Sequence, residues 1–336
     1  MRPLTPHATT RSLSTHSSSR SRNLLLTFDA FDTLFYPHPP VPEQYAAVAH
    51  EFGLSRTAVT PASVLASFKD AFRAQSKQYP NYGRADVLRG AYNGPQQWWG
   101  EVIRGTFTRI IKEQNADTSN HNHDETLPAG LEDALLKRFE GAQGYALYDD
   151  VAPFLARMRT IRHAASRPYN RVVLGVLSNS DDRIPAVLKA LGVRVAKTRA
   201  DQDRESLALP GFEYRGGRSH SGDEGRFSDP DPDLDIVITS YEAGEEKPSR
   251  VIFDVAKRQA GWLASPCPTG SASTDAGAED NWVCVHVGDD FRKDYCGARD
   301  AGWDSYLLPR REGQDHPDAK TIRSLMDLIA VLKMDA

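Results

Sequence analysis

The 336-residue chain reads as an α/β protein: a parallel sheet with an all-helical segment inserted after its first strand. Three observations lead to that class. Apolar runs near residues 24–28, 171–177, 235–239 and 282–288 each end at a polar or acidic side chain. Buried parallel strands look this way when they deliver a reactive group at their C-terminal ends. Helical spacing separates the later runs, as in strand–helix–strand units. Between residues 43 and 139 only helical patterns occur, so one long helical module interrupts the strands.

The first run, Leu24-Leu25-Leu26-Thr27-Phe28, stops at Asp29, and Ala30 to Thr33 form a small-polar turn. Ligands of open α/β sheets sit beyond the carboxyl ends of the strands, so Asp29 is the first candidate for chemistry. An Asp at a strand end can also merely cap the turn. Pro37-His38-Pro39-Pro40-Val41-Pro42 then forms a stiff exit from the sheet. Helices are predicted over 43–52, stopped by Gly53, and over 61–78, with Val64, Leu65, Phe68 and Phe72 on one face. Two more are predicted around Trp98 to Ile111 and Leu131 to Phe139. Aromatic side chains at Tyr79, Tyr82, Trp98 and Trp99 are expected to pack inside this module, with a substrate lid as the functional alternative.

After the module, a helix is predicted over 151–161, then the second strand, ending in Ser178-Asn179-Ser180. A helix opened by Ser180-Asp181-Asp182 would turn its free N–H groups toward the site. The third strand, 235–240, leads to Glu245-Glu246-Lys247-Pro248, with Pro248 expected in the first helical turn. The fourth ends in Gly288-Asp289-Asp290, with Asp294 shortly after. A helix to Gly302, a short strand at 305–308 and a closing helix over 321–333 complete the expectation. Residues 196–233 and 264–280 are polar and rich in Gly, Pro and Ser, as solvated insertions are.

Composition excludes several classes. No apolar run approaches the roughly 20 residues needed to span a bilayer. Cys267, Cys284 and Cys296 show no metal-site spacing, which suggests a reducing intracellular setting, cytoplasm or nucleus. Residues 1–23 hold four arginines and no acid, and the remaining chain carries 37 basic against 45 acidic side chains. That balance argues against a nucleic-acid-binding face on the folded part. The first 23 residues are expected to be a disordered leader, with a mitochondrial presequence as the alternative. His121 and His123 lie in a polar stretch and are read as solvated.

Asp at one strand end, Ser at a second, Lys at a helix entry and paired acids at a third strand end, in that order, resemble the haloacid dehalogenase superfamily. Within it, Ala74-Gln75-Ser76, Tyr79-Pro80-Asn81-Tyr82-Gly83 and Gln97-Trp98-Trp99 resemble the haloacid dehalogenase-like hydrolase domain-containing protein 3 group. The resemblance implies a Rossmann-like core (24–36 and 148–336) and a helical cap (37–147). It implies Asp29 as the nucleophile forming an aspartyl-phosphate, with Ser178 and Thr33 donating to the phosphoryl group. Lys247 would neutralise the charge that nucleophile and phosphoryl group share. Asp289 would hold Mg²⁺ beside Asp29, with Asp290 or Asp294 holding its waters. Asn179 and Phe31 are further substrate-side candidates. A small phosphorylated metabolite is the implied substrate.

One position departs from the family's phosphatase pattern. A second Asp is expected two residues after the nucleophile, as general acid and base, and here stands Phe31. Losing such a group costs about 10²–10⁴ in rate. The family's haloacid dehalogenases also carry an aromatic there, but they lack the Gly288-Asp289-Asp290 acids. The sequence therefore predicts a weak or restricted Mg²⁺-dependent phosphatase, with a silent binding protein and a 2-haloacid dehalogenase as alternatives.

Overall fold

The structure, a computed structural model, describes residues 22–118, 126–164, 168–196, 231–264 and 281–334. Five strands form one sheet: β1 (Arg22–Phe28), then β4 (Tyr169–Ser178), β5 (Ile236–Thr239), β6 (Trp282–Gly288) and β7 (Asp304–Leu307). Their order is β5-β4-β1-β6-β7, and every neighbour pair is parallel. The first strand is thus the centre of the sheet, with Leu24 opposite both Val172 and Val283. That is why its apolar run does not alternate: Leu24, Leu25 and Leu26 are all fully buried, because helices cover both faces. Leu24, Leu26 and Phe28 face Phe154 and Met158 of α6 (Val151–His163) and Val187 of α7 (Ile184–Ala190). Leu25 and Leu177 face Ile252, Phe253 and Ala256 of α9 (Arg250–Ala264). Each such buried Leu stabilises the fold by about 1.5–3 kcal/mol.

The helical insert leaves through β2 (Phe35–Pro37) and returns through β3 (Tyr145–Leu147), which pair antiparallel with Phe35 opposite Leu147. No strand is legible in the sequence of the insert, because three residues are too few to show a period. Between them lie α1 (Val41–Glu51), α2 (Pro61–Gln78), α3 (Pro80–Leu88), α4 (Pro95–Thr118) and α5 (Leu131–Arg138). The second helix matches its expected bounds, set by the Thr60 cap, whose side chain accepts from Ser63 N, and by Pro61 at the first turn. The third was not foreseen. Asn81, Tyr82 and Gly83 all hold positive φ, so no helical period exists there to read. Trp98 is buried and donates to Tyr79 O at 2.9 Å, as core packing predicts.

Other boundaries differ from expectation. The first strand takes in Arg22 and Asn23, the last two residues of the expected leader. The helix after Lys247 starts at Arg250, with Pro248 outside it. After β5 the chain makes the short α8 (Ser240–Ala243), and after β6 a π-helix (Phe291–Cys296) runs into α10 (Gly297–Asp300). The closing helix shrinks to α11 (Asp327–Val331), because Thr321 bridges to Leu307 at the sheet edge instead. Residues 1–21, 197–230 and 265–280, with His121, His123 and Cys267, lie outside the described residues. Arg194 pairs with Asp233, and Val195 bridges to Leu234, so the ends of the 196–233 segment meet. Among the described residues no helix is long and apolar enough to cross a membrane.

Gly175 sets the spacing of the inner sheet. A Cβ there would lie 2.5 Å from Ile236 Cγ1 on the neighbouring strand. Gly175→Ala should therefore lower stability by about 1–3 kcal/mol through overpacking. Urea denaturation checks this; an unchanged midpoint would contradict the close approach of these strands.

Candidate active site

Four strand ends converge on one ammonium group. Lys247 Nζ donates to Asp29 Oδ1 at 2.8 Å, to Asp294 Oδ1 at 2.6 Å and to Leu177 O at 2.7 Å. All three of its protons are thereby used. The Lys247 and Asp294 side chains are each 1% exposed, whereas Asp29 keeps 15%. Parallel strands make this possible: β1, β4 and β6 end level with one another, since Phe28 pairs with both Val176 and Val287.

Charge balance inside this cluster follows from burial and contact. Burial pushes the Asp29 carboxyl up, against the pull of Lys247. Burial would raise Asp294 too, but Lys247 and a hydrogen bond from His286 outweigh it and hold Asp294 well below the usual carboxylate range. Lys247 is raised, since its two carboxylates outweigh its own desolvation. His286 is fully buried, and burial lowers its pKa and keeps the ring neutral. Its Nε2 lies 3.2 Å from Asp294 Oδ1 and its Nδ1 lies 2.9 Å from the Thr27 hydroxyl. A neutral ring beside a carboxylate places the proton on Nε2, so Thr27 donates to Nδ1. His286 escaped the sequence reading because, inside an apolar strand, it looks like packing.

The acids form one cluster. Asp29, Asp289 and Asp294 offer carboxylate oxygens that lie within 4.8 Å of one another. Burial and the neighbouring Asp29, Asp294 and Asp32 charges push Asp289 up to about 7. Crowded carboxylates without a Cys or His donor suit a hard, oxygen-seeking divalent cation such as Mg²⁺. Asp294 is already engaged: Oδ1 by Lys247 and His286, and Oδ2 by Asp290 N at 3.0 Å. Asp29, taken on Oδ1 by Lys247, and Asp289, taken on Oδ2 by Gln314 Nε2 at 2.6 Å, are less fully engaged and so the better direct ligands. Asp290 does not join them, because its Oδ1 accepts from Arg292 N and Lys293 N and starts the π-helix.

The remaining expected residues divide. Ser178 sits at the end of β4, buried, on the same side of the sheet. Thr33 Oγ1 is buried without a hydrogen-bond partner among the described residues. Asn179 corrects its expected substrate role. Its Nδ2 donates to Lys247 O at 2.9 Å and its Oδ1 accepts from Lys247 N at 2.6 Å. The amide is spent at both ends on holding the lysine's backbone. The Arg183 N–H is likewise not free for an anion, since Asp181 accepts from Arg183 N at 3.0 Å and from the Arg183 guanidinium. Phe31 packs on Phe35 and Tyr145, with ring centroids 4.9 and 5.8 Å apart. Asp32 is taken up by an ion pair with Arg311. Arg310 ties the same loop to the insert's return, donating to Thr33 O and to Asp150, an arrangement without a sequence signal.

A family model of haloacid dehalogenase-like hydrolases matches residues 25–302. The chain belongs to that family. Among its relatives is an uncharacterized yeast protein from Saccharomyces cerevisiae, 27% identical over 87% of this chain and 74% of that one. The human haloacid dehalogenase-like hydrolase domain-containing protein 3 is 28% identical over 84% of this chain and 81% of that one. The Danio rerio protein of the same name is 26% identical over 91% and 95%. The resemblance to that group, drawn from the aromatic words of the insert, agrees with these relatives.

The family member's strand-end glycine has a local reason. A Cβ on Gly288 would overlap the Asp294 carboxylate. Gly288→Ala should displace Asp294 from Lys247 and lower turnover at least tenfold while the protein stays folded. Circular dichroism alongside steady-state kinetics checks it; full activity would show that Asp294 need not stand where it does.

Proposed function

We propose that the chain is a Mg²⁺-dependent phosphatase of restricted range that passes the phosphoryl group through Asp29. The observation that carries this is the Lys247 bridge from Asp29 to Asp294 inside the three-carboxylate cluster. A carboxylate held by an ammonium group is aimed but stays anionic, which a nucleophile needs. Bound Mg²⁺, held by Asp29 and Asp289, would supply positive charge opposite the phosphoryl oxygens.

In the first step an Asp29 oxygen bonds to phosphorus and the ester or anhydride oxygen leaves with its electron pair. Lys247 neutralises the charge gathering on the phosphoryl group. Ser178 and Thr33 hydroxyls donate to its oxygens. In the second step water attacks phosphorus and the P–O bond to Asp29 breaks, so that the Asp29 carboxylate is regenerated and inorganic phosphate leaves carrying one proton of the water, the other passing to solvent. Phe31 can neither protonate the leaving oxygen nor take a proton from water. Leaving groups that need no proton, aryl oxides and carboxylates, are therefore favoured, and the second step is slow.

Phe31 also favours a second reading, 2-haloacid dehalogenation, in which halide leaves without a proton. The acid Asp289 beside Asp29 supports the first reading over it. Chloride release from 2-chloropropionate by the purified protein decides between them. A binding protein without turnover would hold Mg²⁺ and a phosphate mimic, yet release no phosphate.

Asp289→Asn should abolish Mg²⁺ binding by calorimetry and leave the melting temperature nearly unchanged; undiminished affinity would remove Asp289 from the metal site. Phe31→Asp should raise turnover, and more for alkyl than for aryl phosphates, whose leaving oxygens need a proton less. The ratio of alkyl to aryl activity, per folded protein, checks this; an unchanged ratio contradicts the missing-acid account.

A further inference from the structure

A partly open cavity of about 110 Å³ lies between the first-strand loop and the helical insert. Phe31 lines it, together with Tyr45, Phe68, Trp99, Leu136 and Tyr145 among others. The ring standing where a general acid is expected is thus part of this cavity, two residues from Asp29. Its charged member is Arg183. That charge is already cancelled: Nε and Nη2 pair with Asp181 at 2.9 and 2.7 Å, and the guanidinium lies 5.0 Å over Trp99. The Trp99 indole N–H is spent on the same carboxylate, at 2.7 Å. Burial also pushes the Tyr45 and Tyr145 phenols up, so both rings stay neutral. The insert is fastened over this space by Asn81, which donates to Ser240 O at 2.8 Å, and by Arg84, which donates to Tyr241 O at 2.8 Å.

We propose that this cavity seats the part of the leaving group that carries its departing oxygen, and that this part is compact, uncharged and apolar: one small ring or a branched hydrocarbon chain. The proposal rests on the phosphatase reading of Asp29 and adds the substrate class. An apolar cavity of roughly 150 Å³ holds benzene, so this one takes a group of at most similar size. A sugar or a second carboxylate would lose its hydration here and find few partners. The same ring, Phe31, thus excludes a general acid and provides the surface on which a leaving group that needs none can rest.

Acyl phosphates test this cleanly, because their carboxylate leaving groups have similar acidity and need no proton. With Mg²⁺, isovaleryl phosphate should be hydrolysed with kcat/KM at least tenfold above acetyl phosphate, which cannot fill the cavity. Val41→Phe, which narrows the cavity, should collapse that ratio toward one. Leu136→Ala, which widens it, should shift preference toward benzoyl phosphate. A ratio near one in the wild type, or one that neither variant moves, overturns the proposal while leaving phosphatase action intact. If no acyl phosphate is hydrolysed, the phosphatase reading fails instead. Calorimetry with 3-methylbutylphosphonate against methylphosphonate then decides the cavity on its own: equal affinities overturn it, and a tenfold preference for the branched chain upholds it.

Discussion

The site depends on one buried ammonium group shared by two carboxylates. Lys247 can be buried because every proton it carries has an acceptor, and Asp294 because His286, Asp290 N and Lys247 all donate to it. Removing one member of such a group leaves an uncompensated charge, at a cost of about 3–5 kcal/mol. The surrounding backbone is shaped to prevent that. Asn179 fixes the lysine's peptide from both sides, Gly288 leaves room for the Asp294 carboxylate, and Thr27 orients the imidazole behind it. Parallel pairing around the first strand brings these groups to one edge of the sheet. The fold and the site are therefore one constraint: strands that end level with each other, and a charge network that closes across their ends.

What was legible in the sequence was what leaves a periodic or ordered trace. Leu24 to Phe28 showed a central strand because burial on both faces removes alternation. Asp29 and Asp289 at strand ends, and Lys247 at a helix entry, were legible from their order along the chain. The structure brings Asp29, Lys247, Asp289 and Asp294 together, and it gives Asn179 to the lysine's backbone instead of a ligand. Other features had no trace to read. Three residues of β3, and the run of positive φ at Asn81 to Gly83, are too short or too irregular for periodicity. His286 and the Asp181–Arg183 pair depend on contacts made in space, which a linear pattern does not carry.

Phe31 connects the chemistry to the insert. An Asp in its place would have to stay polar next to Phe35 and Tyr145, which pack on the present ring. The aromatic side chain instead continues the apolar surface that the insert closes over. Under the proposed phosphatase reading, loss of proton transfer and gain of an apolar wall are two consequences of a single residue, and together they would narrow the chemistry to leaving groups that depart as stable anions.

The account requires a phosphoryl group on Asp29, formed faster than it is lost. The direct measurement is acid quenching of the protein during turnover of an acyl phosphate with Mg²⁺, followed by mass spectrometry of the peptide that contains Asp29. The account predicts one phosphoryl group on Asp29 and none in Asp29→Asn, with label accumulating because Phe31 cannot activate the attacking water. Release of phosphate with Asp29 unmodified throughout would contradict it.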